Sequence, residues 1–319
     1  MISVGINGFG RIGRCITRHI MNDRNDMEIV QINASGSKET NMHLLKYDSV
    51  HGRYQGSIQE PILWTEERDI EKMKWYGVDV VLECTGAFND GTASIHHVNN
   101  GAKKVLISAP AKNVDRTVVY GINHEDITRD DRIISNASCT TNCLAPMASV
   151  LHKEFGIKRG MMTTVHSYTG DQVTIDKKHT DLYRSRASAV NMIPTSTGAS
   201  KNIGKIIPEL QGKLSGASIR VPTPNVSCVD LTVEVQDNVT VKDVNHAFYT
   251  YSELFLPGIL GFETAPLVST DFNHTRESCI IASDQTQVVD RRMVRVLGWY
   301  DNEWGFSCRM ADMAAYIGK

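Results

Sequence analysis

The chain has 319 residues, with 34 Lys or Arg against 36 Asp or Glu and a formal net charge of −2. That near balance argues against partners held by bulk charge, so neither nucleic acid nor an anionic membrane is expected. A hydrophobic content of 41% excludes disorder as the dominant state, and the length suits about two domains. The 7 cysteines are odd in number and scattered, which suits free thiols in a reducing cytoplasm better than a disulfide framework. No charged leader precedes the first apolar run, and no stretch approaches the ~18 apolar residues of a membrane span.

Apolar runs at 2–6, 28–33, 78–84, 103–108 and 117–122 are separated by helix-length intervals, and Ile12, Ile16 and Ile20 recur every four residues. Continuous apolar strands alternating with amphipathic helices predict a Rossmann-type doubly wound parallel sheet. Beyond residue 138 the pattern changes. Helical stretches fall at 141–155 and 241–251, a strand at 161–166 delivers His166, and Val229, Leu231, Val233 and Val235 alternate with polar residues. Period-two alternation predicts a mainly antiparallel sheet, hence an α+β second domain. Phe306, Met310, Met313, Ala314 and Ile317 share one face of a last helix. The expected division is a dinucleotide-binding domain over 1–138, with the helix at 303–319 packing back on it, and a catalytic domain over 139–302.

Gly8-Phe9-Gly10-Arg11-Ile12-Gly13 follows the first strand and opens the first helix. Three glycines in that spacing permit a tight turn, close approach of backbone to a pyrophosphate and close helix–strand packing, with the helix amides aimed at the phosphates. The acidic residue that usually ends the second strand and binds the ribose hydroxyls of NAD is absent. The segment there reads Asn33-Ala34-Ser35. Nothing in it repels a 2′-phosphate.

In Ser135-Asn136-Ala137-Ser138-Cys139-Thr140-Thr141-Asn142-Cys143, either Asn136 or Ser138 can cap a helix and leave Cys139 in its first turn. Free amides and the positive dipole end would favour a thiolate there. Cys143 reads as a small buried residue, and the pair lacks further ligands at metal-site spacing, so no metal is expected. His166 is followed by Thr169-Gly170-Asp171 and a basic irregular stretch containing Lys177, Lys178, His179, Arg184 and Arg186.

These motifs, with Thr195-Ser196-Thr197-Gly198-Ala199, Arg220-Val221-Pro222-Thr223 and Trp299-Tyr300-Asp301-Asn302-Glu303, make the chain resemble the phosphorylating glyceraldehyde-3-phosphate dehydrogenase family over nearly its whole length. The resemblance implies that Cys139 is the nucleophile and His166 the base, passing through a thiohemiacetal and a thioester. Glyceraldehyde-3-phosphate and inorganic phosphate are the implied substrates, 1,3-bisphosphoglycerate the product, and a homotetramer the implied assembly. Thr169, Asp171 and Arg220 match the pocket for the substrate's phosphate, with Asp171 expected to orient Arg220 or a hydroxyl. Ser138, Thr140, Thr197 and Gly198 match the pocket for the attacking phosphate. Asn7, Gly8, Gly10, Arg11, Ile12, Gly13, Thr85, Gly86 and Ser108 match contacts to the cofactor, and Asn302 matches the partner of the nicotinamide amide.

The cofactor is expected to be NADP or NAD, with NADP favoured. Ala34 stands where NAD-preferring members carry Asp, Ser35 follows it, and Lys177-Lys178 stand where such members commonly show Leu-Pro. Phe306 replaces a tyrosine common in relatives. Together with the stretch at 271–274 it resembles the erythrose-4-phosphate dehydrogenase branch, a rival reading that would release a free acid. A non-catalytic nucleotide-binding or adhesin role is the rival from another class, against which the intact Cys139 and His166 stand.

Overall fold

The computed structural model describes residues 1–58 and 60–319. Residues 1–138 with 306–319 form one compact unit, and residues 139–305 form the other. No helix among the described residues is long and apolar enough to cross a membrane.

The first unit is built on seven strands: β1 (Ile2–Asn7), β2 (Met27–Asn33), β3 (Leu63–Thr65), β4 (Val80–Glu83), β5 (Lys104–Ile107), β6 (Arg116–Thr117) and β7 (Ile133–Ser135). They lie in the order β3-β2-β1-β4-β5-β7-β6, and every pairing is parallel. Burial on both faces explains the unbroken apolar runs: all four residues of β4 are buried, as are Val105, Leu106 and Ile107 of β5. Helices α1 (Arg11–Asp23), α2 (Lys38–Lys46) and α3 (Gly91–Asn99) follow β1, β2 and β4, with Ile16 and Ile20 of α1 fully buried. The chain leaves β1 for β2 on one side and later returns to β4 on the other. The crevice of this switch point therefore opens at the carboxyl ends of β1, β2 and β4.

One strand differs from its expected extent. Of 117–122 only Thr117 is in a strand, because Asn123 accepts from the Val119 amide (2.8 Å) and turns the chain into a short 3₁₀ segment. The place beside β5 is taken by β7, whose apolar run is too short to have been distinguished in the sequence.

In the second unit, helix α4 (Cys139–Phe155) is buried continuously from Thr140 to Leu151. It packs on a sheet of β8 (Ile157–Ser167), β9 (Ile193–Thr195), β10 (Leu214–Val221), β11 (Ser227–Val235), β12 (Leu260–Glu263), β13 (Cys279–Ala282), β14 (Gln287–Val289) and β15 (Met293–Tyr300). The order is β9-β10-β8-β11-β15-β13-β12, with β14 paired to β15. The pairings of β8 with β10 and β12 with β13 are parallel and the remaining five antiparallel. The predicted alternation on β11 holds: Val229, Leu231, Val233 and Val235 are buried, with Asp230, Thr232 and Glu234 between them only partly so. Helices α5 (Ala199–Ile206) and α6 (Val241–Thr250) complete this unit, α6 beginning at a Thr240–Asp243 capping box, while α7 (Trp304–Ile317) belongs from Phe306 onward to the first unit.

Candidate active site

In the first unit a cleft of about 640 Å³ opens at the switch point. Asn7, Gly8, Gly10, Ala34, Ser35 and Thr85 line it, joined by Asn33, Thr40, Asn41, Glu67, Arg68 and Phe88. The three glycines of the turn serve separate purposes. Gly8 has φ +92°, and a methyl group on it would lie 2.7 Å from the Thr85 amide nitrogen. A methyl on Gly13 would lie 2.2 Å from the Gly8 carbonyl oxygen, so this glycine lets α1 pack against the turn. A methyl on Gly10 would meet no described atom within 4 Å, so the fold itself does not require glycine there. A ligand approaching the backbone does, and the cleft fits a dinucleotide on that ground.

Arg11, Ile12, Gly13, Gly86 and Ser108 stand outside the cleft lining. The Arg11 guanidinium is engaged by Asp48 through Nη1–Oδ2 (2.6 Å) and Nη2–Oδ1 (3.1 Å), which leaves the backbone of Arg11 for any cofactor contact. Burial alone would raise the Asp48 pKa, but the His51 and Val50 amides and Arg11 outweigh it and hold the pKa down to about 2. A carboxylate with a depressed pKa stabilises the fold above its unfolded value of 3.8, and that contribution is lost as pH falls toward 2. Asp48→Asn is therefore expected to lower unfolding free energy by about 1–3 kcal/mol at neutral pH and by almost nothing near pH 2. Urea unfolding at both pH values checks it, and equal losses would overturn it.

In the second unit the chemistry gathers where α4 begins and β8 ends. Cys139 is the first residue of α4 and half-buried; its Sγ lies 3.6 Å from His166 Nε2. His166 stands next to the end of β8, in register with Arg220 on the parallel strand β10. His166 Nδ1 is 2.7 Å from the Ser167 carbonyl oxygen, and the tautomer that donates there leaves Nε2 free to accept from the thiol. Arg220 Nη1 donates to the same carbonyl at 2.9 Å and lies 2.9 Å from Nδ1.

Two sequence expectations change here. Burial pushes the Cys139 thiol up rather than down, against the opposing pull of the Arg220 charge and the Thr140 amide. Burial and the Arg220 charge press His166 down to about 3. Without ligands the pair is thus a thiol beside a neutral imidazole, since the helix-end field does not offset desolvation. Asp171 does not reach Arg220 as expected. It pairs with Arg184 and lies 3.5 Å from His179 Nε2.

Two family descriptions match the chain: "Glyceraldehyde 3-phosphate dehydrogenase, NAD binding domain" over residues 2–91, and the corresponding C-terminal domain over residues 138–302. Glyceraldehyde-3-phosphate dehydrogenase of Cereibacter sphaeroides is 54% identical over 329 residues, covering 100% of this chain and 99% of the relative. Those of Xanthobacter flavus and Geobacillus stearothermophilus are 51% and 50% identical, each covering 100% of this chain and 99% and 98% of theirs. The chain belongs to the glyceraldehyde-3-phosphate dehydrogenase family. It is an enzyme of that family, and its first unit is an NAD(P)-binding domain.

Other expected residues of this dehydrogenase fold are placed as follows. Thr169 Oγ1 lies 3.5 Å from Arg220 Nη1, at the limit of a hydrogen bond. Arg220 Nε, Thr195 Oγ1 and Thr223 Oγ1 are buried polar atoms with no hydrogen-bond partner among the described residues, donors that fit an anion, while Arg184 Nε lies 3.5 Å from Asp181 Oδ2. Thr197 and Gly198 stand at the N-terminus of α5, where Thr197 Oγ1 accepts from the Ala199 amide at 3.2 Å. Asn302 Oδ1 accepts from Ser167 Oγ (2.9 Å) and Ser227 Oγ (3.0 Å), so its amide nitrogen is the group left to donate, as a carboxamide oxygen requires. Lys177 and Lys178 are exposed. Phe306 is buried, at 5% exposure.

Two residues at the site were given no role from the sequence. Tyr300 is fully buried, its hydroxyl 2.9 Å from both Thr140 Oγ1 and Thr164 Oγ1 and its ring edge-on to His166. It ties the first turn of α4 to β8 and so sets the distance from thiol to imidazole. Arg184 lay within the basic stretch but was not separable from its neighbours. Its charge is near enough to help depress His166, which places it with Arg220.

Proposed function

We propose that the chain catalyses the reversible oxidative phosphorylation of glyceraldehyde-3-phosphate to 1,3-bisphosphoglycerate. The observation that carries this reading is the 3.6 Å approach of Cys139 Sγ to His166 Nε2 beside the half-buried Arg220. His166 takes the thiol proton as sulfur attacks the aldehyde carbon, then returns it to the new alkoxide, giving a thiohemiacetal. In this scheme the Cys139 amide, at the start of α4, donates to that oxygen. His166 takes the hydroxyl proton again as the carbon is oxidised to the thioester. Bound NAD(P) supplies the hydride acceptor. A phosphate oxygen then attacks the thioester, and Cys139 leaves as thiolate to recover its proton from His166.

Arg220 and Arg184, with Thr169, are the proposed seat of the substrate's phosphate, with Asp171 holding Arg184. Ser138, Thr140, Thr197 and Gly198 are that of the attacking phosphate. A phosphate dianion on Arg220 also offsets the charge that depresses His166, so substrate binding raises the basicity of its own catalyst. Steady-state oxidation of glyceraldehyde-3-phosphate with and without inorganic phosphate tests the reading. Turnover is expected to require phosphate and to yield an acyl phosphate. Phosphate-independent release of a free acid would favour the erythrose-4-phosphate type of enzyme instead.

The same reading includes preference for NADP. What supports it is the uncharged Ala34 and Ser35 in the cleft and the guanidinium-bearing Arg68 on the same lining. Lys177 and Lys178 would add charge from an adjacent subunit of a homotetramer. Ala34→Asp is expected to lower kcat/KM for NADP by about tenfold or more while leaving that for NAD within a few-fold. A wild-type enzyme that strongly prefers NAD would overturn this part. Residues 1–138 with the helix at 303–319 are the dinucleotide-binding part in this scheme, and residues 139–302 the catalytic part.

A further inference from the structure

Beneath the cleft of the first unit lies a polar network that the catalytic scheme does not use. Glu83, the last residue of β4, is 1% exposed, and among the described residues its hydrogen-bond partners include no Lys or Arg. Its Oε1 accepts from the Thr85 amide at 2.7 Å and from the Thr85 hydroxyl. Its Oε2 accepts from Asn7 Nδ2 at 2.6 Å and from His97 Nε2 at 3.1 Å. His97 donates from Nε2 because its Nδ1 accepts from Trp75 Nε1 at 3.0 Å. All four neighbours of the carboxylate are thus donors.

From Glu83 the network runs to both walls of the cleft. On one side Thr85 Oγ1, while donating to Glu83, accepts from the Ala87 amide at 3.0 Å, which fixes the segment of Thr85, Ala87 and Phe88 on the lining. On the other side Asn7 Oδ1 accepts from Asn33 Nδ2 at 2.8 Å, and Asn33 Oδ1 accepts from Thr65 Oγ1 and the Glu67 amide at 2.8 and 2.9 Å. Asn7, Asn33, Glu67 and Thr85 all face the cleft, whereas Glu83 and His97 do not. Burying a carboxylate under a site for an anionic ligand is electrostatically unfavourable, and apolar packing of the same volume would serve a purely structural purpose better. A carboxylate is the one side chain that accepts from four directions at once.

We infer that Glu83 is a positioning residue for the dinucleotide, holding Asn7 and Thr85, and through Asn7 the Asn33–Glu67 wall, in the geometry that the cofactor meets. The inference rests on the cleft being the cofactor site. Glu83→Gln keeps the shape but turns one acceptor into a donor facing donors, so two of the four hydrogen bonds are lost.

The test combines thermal melting of the ligand-free variants, cofactor affinity by quenching of intrinsic fluorescence, and full steady-state kinetics. Glu83→Gln is expected to weaken cofactor binding and raise its KM by about tenfold to a hundredfold. At saturating cofactor its kcat stays within about threefold, and the aldehyde KM is unchanged. His97→Gln, whose amide can still donate to Glu83, is expected to resemble wild type, while His97→Leu loses cofactor affinity. Cofactor affinity within about twofold of wild type in Glu83→Gln overturns the inference, as do equal losses in every kinetic parameter. Should Glu83→Gln not fold, the His97 pair decides, and equal behaviour of Leu and Gln there overturns it. A Gly10→Val variant run in parallel separates the two levels. If it binds cofactor normally, the cleft is not the site. If it loses cofactor while Glu83→Gln does not, only the role of Glu83 falls.

Discussion

Cys139→Ala is expected to lower kcat for aldehyde oxidation by about 10⁴-fold or more, and His166→Asn by about 10²–10⁴-fold. In the proposed scheme the two side chains act as a unit, because sulfur that cannot give up its proton attacks slowly, and a base without the thiol has nothing to activate. The double variant should therefore be no slower than Cys139→Ala alone. The geometry makes the expectation specific. Nε2 is the ring nitrogen at the sulfur, and Nδ1 is held by the Ser167 carbonyl beside Arg220, so an asparagine cannot reproduce both contacts. The initial burst of reduced cofactor in rapid mixing should vanish with Cys139→Ala and slow with His166→Asn, since in the proposed scheme acylation precedes phosphate attack. Burst amplitude and kcat measured on both single variants and the double check the scheme. Activity within about tenfold of wild type in Cys139→Ala would remove the covalent mechanism altogether.

How much of this was legible in the sequence follows from how local each determinant is. The glycine turn was, because its spacing is read between a strand and a helix that carry their own periodicities. The start of α4 at Cys139 and the delivery of His166 by a strand were legible for the same reason. The strand at Ile133–Ser135 was not: three residues between polar flanks carry no period. Tyr300 is 160 residues from Thr140 in sequence and Glu83 is 76 from Asn7, so their hydrogen bonds exist only once the sheets have formed. The raised pKa of the thiol was hidden in another way. Helix position can be read from a sequence, but desolvation is a property of the packed interior, and at Cys139 it is the larger effect. Asp171 illustrates partner choice: the family motif places it beside the phosphate pocket, but only the fold shows that Arg184 and His179 claim it.

Gly10→Val is expected to separate stability from function in the first unit. In most turns a glycine is held by its backbone angles, and replacing it strains the fold. Gly10 has φ −76° and ψ −158°, an extended conformation open to any residue, and a side chain there meets none of the described atoms within 4 Å. Valine should therefore leave the melting temperature of the ligand-free protein nearly unchanged. A bound dinucleotide is the one object that would occupy that space, since the helix amides attract the pyrophosphate into contact with the backbone. Even one methyl group at a van der Waals contact displaces phosphate from hydrogen-bonding distance, so cofactor affinity should fall by about 10²-fold or more. Gly13→Val gives the contrasting result. Its methyl groups would be driven into the Gly8 carbonyl, and stability should fall with or without cofactor. Melting curves with increasing NADP distinguish the cases. Wild type should gain stability with cofactor concentration, Gly10→Val should melt like the ligand-free enzyme at every concentration, and Gly13→Val should melt lower throughout. A Gly10→Val protein that is stabilised by cofactor as strongly as wild type would show that the turn does not hold the pyrophosphate.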